Sequence, residues 1–211
     1  MTTLRGWLQL LLASAMLATL SAPTVAEQPV PIGQVVRQQG SVTVLRATGG
    51  GTLQLGAPVF QGDSILTGPD SKIRIAFADG SELTVGPDSE VLLDEYAVTG
   101  AGHRQAGFLT LLRGIARAAV AGAAGAAPFS IRTRLAVASA RSTDWLTEAA
   151  RERTSVFVAE GSVAVQGAGG GAGVLLAAGY GTDVLPGQPP SPAKRWGAAR
   201  VEQATARTRL P

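Results

Sequence analysis

The residues able to do chemistry are few. The only histidine, His103, sits in "TGAGHRQAG", where flanking glycines predict an exposed turn, and the chain has no cysteine. With one imidazole and no thiol, a hydrolytic triad or a tetrahedral zinc site would need unusual substitutes. Asp94 and Glu95 are adjacent, so on a strand they point to opposite faces and do not form a carboxylate pair around one substrate unless a bulge intervenes. "GAGGGAG" from Gly167 satisfies a loose G-x-G-x-x-A, yet an apolar strand and not a helix follows it, so the dinucleotide-binding context is missing. Asp63 and Asp79 stand beside glycines at strand starts. No Asp-x-Asp ladder surrounds them, which favours capping of a turn over cation binding. No enzyme, cofactor or metal site is expected.

A second kind of chemistry lies in the tail. After "PGQPPSPAK", the stretch "RWGAARVEQATARTRL" carries Arg195, Arg200, Arg207 and Arg209 against the single Glu202 and reads as a short helix with Trp196, Ala199 and Gln203 on one side. Arg195, Trp196 and Arg200 are therefore candidate contacts to an acidic partner or an anionic envelope surface. The competing role is a cap over an exposed end of the core.

The elements that must position these residues are strands. Ile73, Ile75 and Phe77 alternate with Lys72, Arg74 and Ala76, the period of a half-buried strand, with Phe77 in the core and Lys72 on the free face. Similar runs are "QVVR", "SVTVLR", "FLTLL", "SIRTRLAVA", "SVFVAEGSVAVQ" and "GVLLAAG", punctuated by Gly, Pro, Asp and Ser. "AGAAGAAP" from Ala121 and the Gly-rich stretches after "GSVTV" and "GSVAV" read as connectors. Helical spacing is nearly absent between Pro31 and Gly187, so the core is predicted to be all-β.

A repeat suggests how the strands are joined. Gly68-Pro69-Asp70-Ser71 returns as Gly86-Pro87-Asp88-Ser89, with Ile65, Ile73 and Ile75 falling on Leu83, Val91 and Leu93. Each corner suits a type I turn with Pro at its second position and Asp at its third. A repeat of about twenty residues whose units cannot bury their own faces predicts a solenoid-like stack, with a β-sandwich as the alternative. In coils, Ile73 stacks on Val91 and Ile75 on Leu93. In a hairpin with a three-residue Ala78–Gly80 loop and Gly80 left-handed, Ile75 faces Leu83 and Ile73 faces Val85. The repeated corner favours the coil.

Composition and the N-terminus complete the reading. The 211 residues are 45% apolar, enough for a real core, and a net charge of +3 is too balanced for nucleic-acid binding as a main role. Residues 1–26 read as a secretory signal peptide. Arg5 heads an apolar run from Trp7 to Leu20, shorter than the roughly 20 residues of a bilayer-spanning helix, and small residues precede Glu27. The expected organisation is a signal at 1–26, an all-β domain at 27–187, and a Pro-rich linker with a basic helix or tail at 188–211. The mature chain is then periplasmic or secreted, without a transmembrane anchor.

Three motifs give a family resemblance: "GD-x-[IL]-x-T" at Gly62, Asp63, Ile65 and Thr67, "F-x-DGS-x-L" from Phe77 through Asp79 and Gly80 to Leu83, and "V-x-EG-x-V-x-V" from Val158 through Gly161 to Val165. In this order they resemble the FecR-type periplasmic domain over about Ile32 to Leu185. The family's usual Arg-Gly-Thr appears as Arg141-Ser142-Thr143, ahead of Trp145. The resemblance implies a β-rich extracytoplasmic module. In the iron-dicitrate regulator such a module follows a cytoplasmic anti-sigma segment and a transmembrane helix, and senses an outer-membrane receptor. A chain opening on a cleavable signal is expected instead to be a free-standing signalling or interaction module that binds an envelope protein. A secreted adhesion or glycan-binding scaffold, bound to a cell-surface polymer, is the rival class.

Overall fold

The computed structural model describes residues 29–211, so the expected signal peptide lies outside the described residues. What it describes is mostly strand with one short C-terminal helix, built as two sheets that share one long strand. The chain opens with β1 (Gly33–Gln39) in the back sheet, crosses to the front sheet for β2 (Val42–Arg46) and β3 (Gly49–Thr52), touches the back sheet at β4 (Pro58–Val59), and returns to the front for β5 (Ser64–Thr67). A back-sheet hairpin, β6 (Lys72–Phe77) and β7 (Glu82–Val85), leads to the front strand β8 (Glu90–Val98). The long β9 (Arg104–Val120) begins in the front sheet and ends in the back.

Paired strands then alternate between sheets: β10 (Phe129–Arg132) and β11 (Ala136–Ala140) in front, β12 (Thr143–Ala150) and β13 (Arg153–Glu160) behind, β14 (Ser162–Gly167) and β15 (Val174–Ala177) in front. The back sheet finishes with β16 (Tyr180–Val184) and the two-residue β17 (Lys194–Arg195), ahead of helix α1 (Ala198–Thr208). All pairings are antiparallel except that of β10 with β9.

The two sheets bury one core. Ile73, Ile75, Leu83, Val85, Trp145, Val156 and Val158 from the back meet Val42, Val44, Ile65, Val91, Leu93, Leu109, Leu111, Val163 and Val165 from the front in a single apolar cluster. This is the face-to-face arrangement of a sandwich. It corrects the coil contacts expected at 62–95: Ile73 faces Val85 and Ile75 faces Leu83, and the Ala78–Gly80 loop closes a hairpin with Gly80 at φ +82°. Val91 instead faces Ile65 and Leu111. The hairpin prevails because Phe77 pairs with Ser81 across it, keeping every large apolar side chain of β6 and β7 on the buried face. Gly49–Thr52, read as a connector, is a short exposed edge strand.

The Gly-Pro-Asp-Ser corners mark the points where the chain changes sheet, β5 to β6 and β7 to β8. Asp70 and Asp88 have φ of +54° and +52°, so the third position is left-handed, which excludes type I and matches type II. In each corner the Ser hydroxyl donates to the Pro carbonyl and accepts a backbone N–H from another crossing segment. Ser71 Oγ takes Ser41 N–H at 2.9 Å and Ser89 Oγ takes Ile115 N–H at 2.9 Å. The residues just before those N–H groups are Gly40 and Gly114, at φ +72° and +91°, and a methyl on either would collide with the serine it faces. The repeat therefore encodes a seam of hydroxyls and glycines along the edge where strands switch sheets.

Candidate functional site

The family-motif side chains turn into the scaffold. Asp63, 2% exposed, accepts two bonds from Arg46, 2.8 Å from Nε and 3.1 Å from Nη2, and one from Phe60 N–H at 3.0 Å. Gly62, just before it, sits left-handed at φ +86° in the turn into β5. Thr67 is buried between the two corners: its hydroxyl accepts Ser89 N–H at 2.9 Å and donates to Gly86 C=O at 2.6 Å, bridging the second Gly-Pro-Asp-Ser turn. Phe77 stacks on Tyr96 with ring centroids 4.5 Å apart, and Phe129 and Trp145 extend the aromatic group through the core.

Asp79 anchors the largest polar network. It accepts Ser81 N–H and Ser81 Oγ, both at 2.8 Å, the Tyr96 hydroxyl, and Arg104 Nη1. Arg104 has no exposed side-chain surface, and Asp79 only 4%. Arg104 also donates to Ser81 Oγ and to Ala127 C=O, each at 3.0 Å. Burial, then hydrogen bonding to Asp79, drives the Tyr96 pKa far above its ordinary value, so the phenol stays a donor at every physiological pH. Asp79 thus caps its turn, as Asx residues do, and carries a buried ion pair that no sequence pattern announced. Arg104 follows His103, which is exposed in the turn between β8 and β9 as expected.

The outward side of the same loops forms a groove. Ala119–Ala121, Ser142–Asp144, and the turns at Gly80 and Glu160–Gly161 enclose a solvent-open cavity of about 440 Å³. Strand register sets its carboxylates in a row: Glu82 faces Ala119, Ala119 faces Asp144, and Asp144 faces Glu160. Arg117 clamps Asp144 through two bonds of 2.8 and 2.6 Å, and that bonding holds the Arg117 pKa above its usual value despite burial. Glu82 leans on Arg74 at 3.5 Å, and Glu160 makes no ion pair among the described residues. Gly161 lies at the groove's edge because any side chain there would press on Thr143 Oγ1 at 2.7 Å. Sequence reasoning named Gly80 and Gly161 but missed Glu82, Arg117, Asp144 and Glu160. Only the strand pairing brings these four together.

Among the described residues no cluster of three or more His, Cys, Asp or Glu has metal-binding geometry. Asp94 is half-buried inside the irregularity that interrupts the pairing of β8 with β9 after Leu92, and Glu95, where pairing resumes, is exposed.

The tail residues proposed for partner contact divide. Arg195 is exposed on β17, opposite Tyr180. Trp196 and Arg200 face the chain itself, a correction to their reading as a partner-facing pair. The Trp196 ring stacks on Phe157 with centroids 4.9 Å apart, and Arg200 lies 3.7 Å over the Trp196 ring while bonding Asp183 at 2.6 and 3.2 Å. The physical reason is that Ile115, Leu146 and Phe157 of β9, β12 and β13, with Glu148 of β12 and Asp183 of β16, leave an apolar and acidic strip on the outer face of the back sheet, which the basic helix covers. Burial would raise the Asp183 pKa, but bonds from Arg200 and Ser155 outweigh it and hold the carboxyl below its usual value. Lys72, read as a free surface residue, reaches the same helix and donates to the Ala206 and Arg209 carbonyls at 2.8 Å.

Residues 63–164, from Asp63 at the start of β5 to β14, match the family model described as "FecR protein". This stretch is a FecR domain. No curated protein matches the chain. Among solved structures, two crystal structures of a candidate anti-sigma factor from Parabacteroides distasonis ATCC 8503 superpose with a TM-score of 0.53 each, at 19% and 18% identity. In both cases the alignment covers 65% of this chain and 62% of that one. The chain therefore spans less than two thirds of that protein, and the likeness is one of fold. The FecR stretch contains Asp63, Thr67, the Asp79–Arg104 network, the groove carboxylates Glu82, Asp144 and Glu160, and Arg117 that clamps Asp144.

Proposed function

We propose that this chain is a non-catalytic, extracytoplasmic FecR module that binds a protein partner in bacterial envelope signalling, with its domain at 27–187 and its tail at 188–211. The observation that carries this reading is the division of polar groups within the FecR stretch. The motif residues Asp63 and Thr67 bond inward at sheet crossings and Asp79 at the β6–β7 turn, where its partner Ser81 also takes Ala121 N–H, while the ends of β7, β12 and β13 present Glu82, Asp144 and Glu160 around an open groove. A scaffold that fixes loop geometry so firmly is suited to recognition, where pre-organisation lowers the cost of association. The groove favours a partner segment bearing Lys or Arg.

Export to the periplasm or beyond rests on the N-terminal sequence, and no helix among the described residues is long and apolar enough to cross a membrane. A glycan-binding scaffold is less favoured, since sugar recognition uses exposed aromatic faces and, among the described residues, Tyr180 is the one aromatic among the exposed large hydrophobic residues.

The test is proximity labelling from the full chain in its native cell, comparing wild type with Glu82→Lys/Glu160→Lys. The expected result is one envelope protein labelled by wild type and lost in the variant. Labelling dominated by cytoplasmic proteins, or identical in both forms, overturns the reading.

A further inference from the structure

Under the helix, strand register sets a polar row across the outer face of the back sheet. Ile115 of β9 faces Glu148 of β12, Glu148 faces Ser155 of β13, and Ser155 faces Asp183 of β16. The two carboxylates are thus two strands apart, about 10 Å at the usual strand spacing. Arg200 and Arg207 stand two turns apart on one side of α1, again about 10 Å. The match lets each arginine take one carboxylate: Arg200 bonds Asp183 at 2.6 and 3.2 Å, and Arg207 bonds Glu148 at 2.5 Å. Ser155 lies between them, donating to Asp183 at 2.6 Å and accepting from Arg200 at 3.2 Å.

A third arginine stands at the end of this row. Arg153 is two residues along β13 from Ser155, so its side chain leaves the same face. The ion pairs of the network use Arg200 and Arg207, and Arg153 makes no ion pair or side-chain hydrogen bond among the described residues. Burial acts to raise the Asp183 pKa, and the bonds from Arg200 and Ser155 overcome it with help from the nearby charge of Arg153. The third guanidinium therefore lies close to the other groups. Sheet and helix bound a cavity of about 140 Å³ here, with Glu148 and Arg153 on the sheet side and Trp196, Arg200, Gln203 and Arg207 on the helix side.

Size and charge say what suits this cavity. It is well below the roughly 300 to 1,000 Å³ of pockets for drug-sized ligands, and about 140 Å³ corresponds to the liquid volume of about five waters. Three guanidinium groups converge against two carboxylates, so one positive charge is left over and the like charges repel. Each guanidinium carries five N–H donors in a planar fork that matches phosphate. Arg207 spends only Nη1, on Glu148, which leaves donors on Arg207 as well as on Arg153.

We propose that this cavity is a phosphate site, in which a free phosphate-class oxyanion is held by Arg153 from the sheet and by Arg200 and Arg207 from the helix. The anion balances the surplus charge, and because it touches both layers its binding fastens α1 to the sheet. The cavity shares no residue with the groove of the FecR loops, so this proposal does not depend on the functional reading above.

Isothermal titration of the full chain with inorganic phosphate, in chloride buffer at constant ionic strength, tests it. One saturable site is expected, weakened at least about tenfold in Arg153→Gln by the loss of a charged hydrogen bond. Arg153 is exposed, so the variant should keep the wild-type circular dichroism. Should it fail to fold, wild-type hydrogen exchange decides: α1 amides should be better protected in phosphate than in chloride of equal ionic strength. No saturation up to about 10 mM phosphate, binding unchanged in Arg153→Gln, or equal protection of α1 in both buffers overturns the proposal. Binding to phosphatidylglycerol vesicles without binding of inorganic phosphate also overturns it, and would make the tail a membrane contact instead.

Discussion

Arg104→Met removes the most enclosed charge among the described residues. The guanidinium has no exposed surface and sits against an Asp79 carboxylate that is 4% exposed. Methionine fills much of the stem volume, so the loss is mainly electrostatic. Asp79 keeps the Ser81 and Tyr96 donors but loses its countercharge, while Ala127 C=O and Ser81 Oγ each lose a donor. Removing one member of a buried pair costs about 3 to 5 kcal/mol, a large share of the roughly 5 to 15 kcal/mol that holds a domain together. With urea slopes of about 1 to 3 kcal/mol per M, the midpoint of unfolding followed by far-UV circular dichroism should fall by about 1 to 5 M at unchanged slope. Adding Asp79→Asn to Arg104→Met should restore part of the loss, because the double variant no longer buries an unpaired carboxylate. A loss under about 1 kcal/mol, or a double variant whose loss is the sum of the single ones, would refute the buried pair.

Three further outcomes follow from the geometry. Thr67→Val keeps shape but leaves Ser89 N–H and Gly86 C=O without their bridge, and should cost about 1 to 3 kcal/mol in thermal or urea unfolding. Gly80→Ala and Gly114→Ala both place a side chain at positive φ, at a strain of about 1 to 2 kcal/mol. Only Gly114→Ala also collides with Ser89, so it should be clearly the more destabilising of the two by differential scanning calorimetry. Because the Asp183 pKa is lowered by folding, its contribution is present above the unfolded carboxyl value of about 3.9 and is lost as pH falls through the lower folded value. The protection of α1 amides against hydrogen exchange, taken relative to the intrinsic rate at each pH, should fall on acidification through that window, and much less in Asp183→Asn, which lacks the titrating group.

The strands themselves were legible because one-sided burial writes a period of two: Ile73, Ile75 and Phe77 are buried and Lys72, Arg74 and Ala76 are not. The three-residue hairpin loop could be written from the sequence as well, since only that register keeps Phe77 from facing Glu82. What misled the choice between hairpin and coil was the repeated corner. Its function is to switch sheets, and a chain that switches sheets after every pair of strands carries the same turn chemistry as a coil. The left-handed Asp70 and Asp88 were hidden because Pro-Asp suits either turn type until the crossing strand fixes it. Arg104 was illegible for a different reason. Its partner Asp79 lies two strands away, and the glycines around it resemble an exposed loop. Of the candidate groove, only Gly80 and Gly161 carried a local signal, since its charged residues become neighbours through pairing distant in sequence.

The central claim, that the groove of the FecR loops receives a protein partner, is most directly tested by placing a photo-crosslinking residue at Glu160 in the full chain and irradiating native cells. A control carries the same residue at Gln166, exposed on front-sheet strand β14. The account predicts one discrete crosslinked envelope protein from position 160, suppressed by Glu82→Lys, and none from position 166. Equal crosslinking from both positions, or a position-160 product that survives Glu82→Lys unchanged, would contradict it.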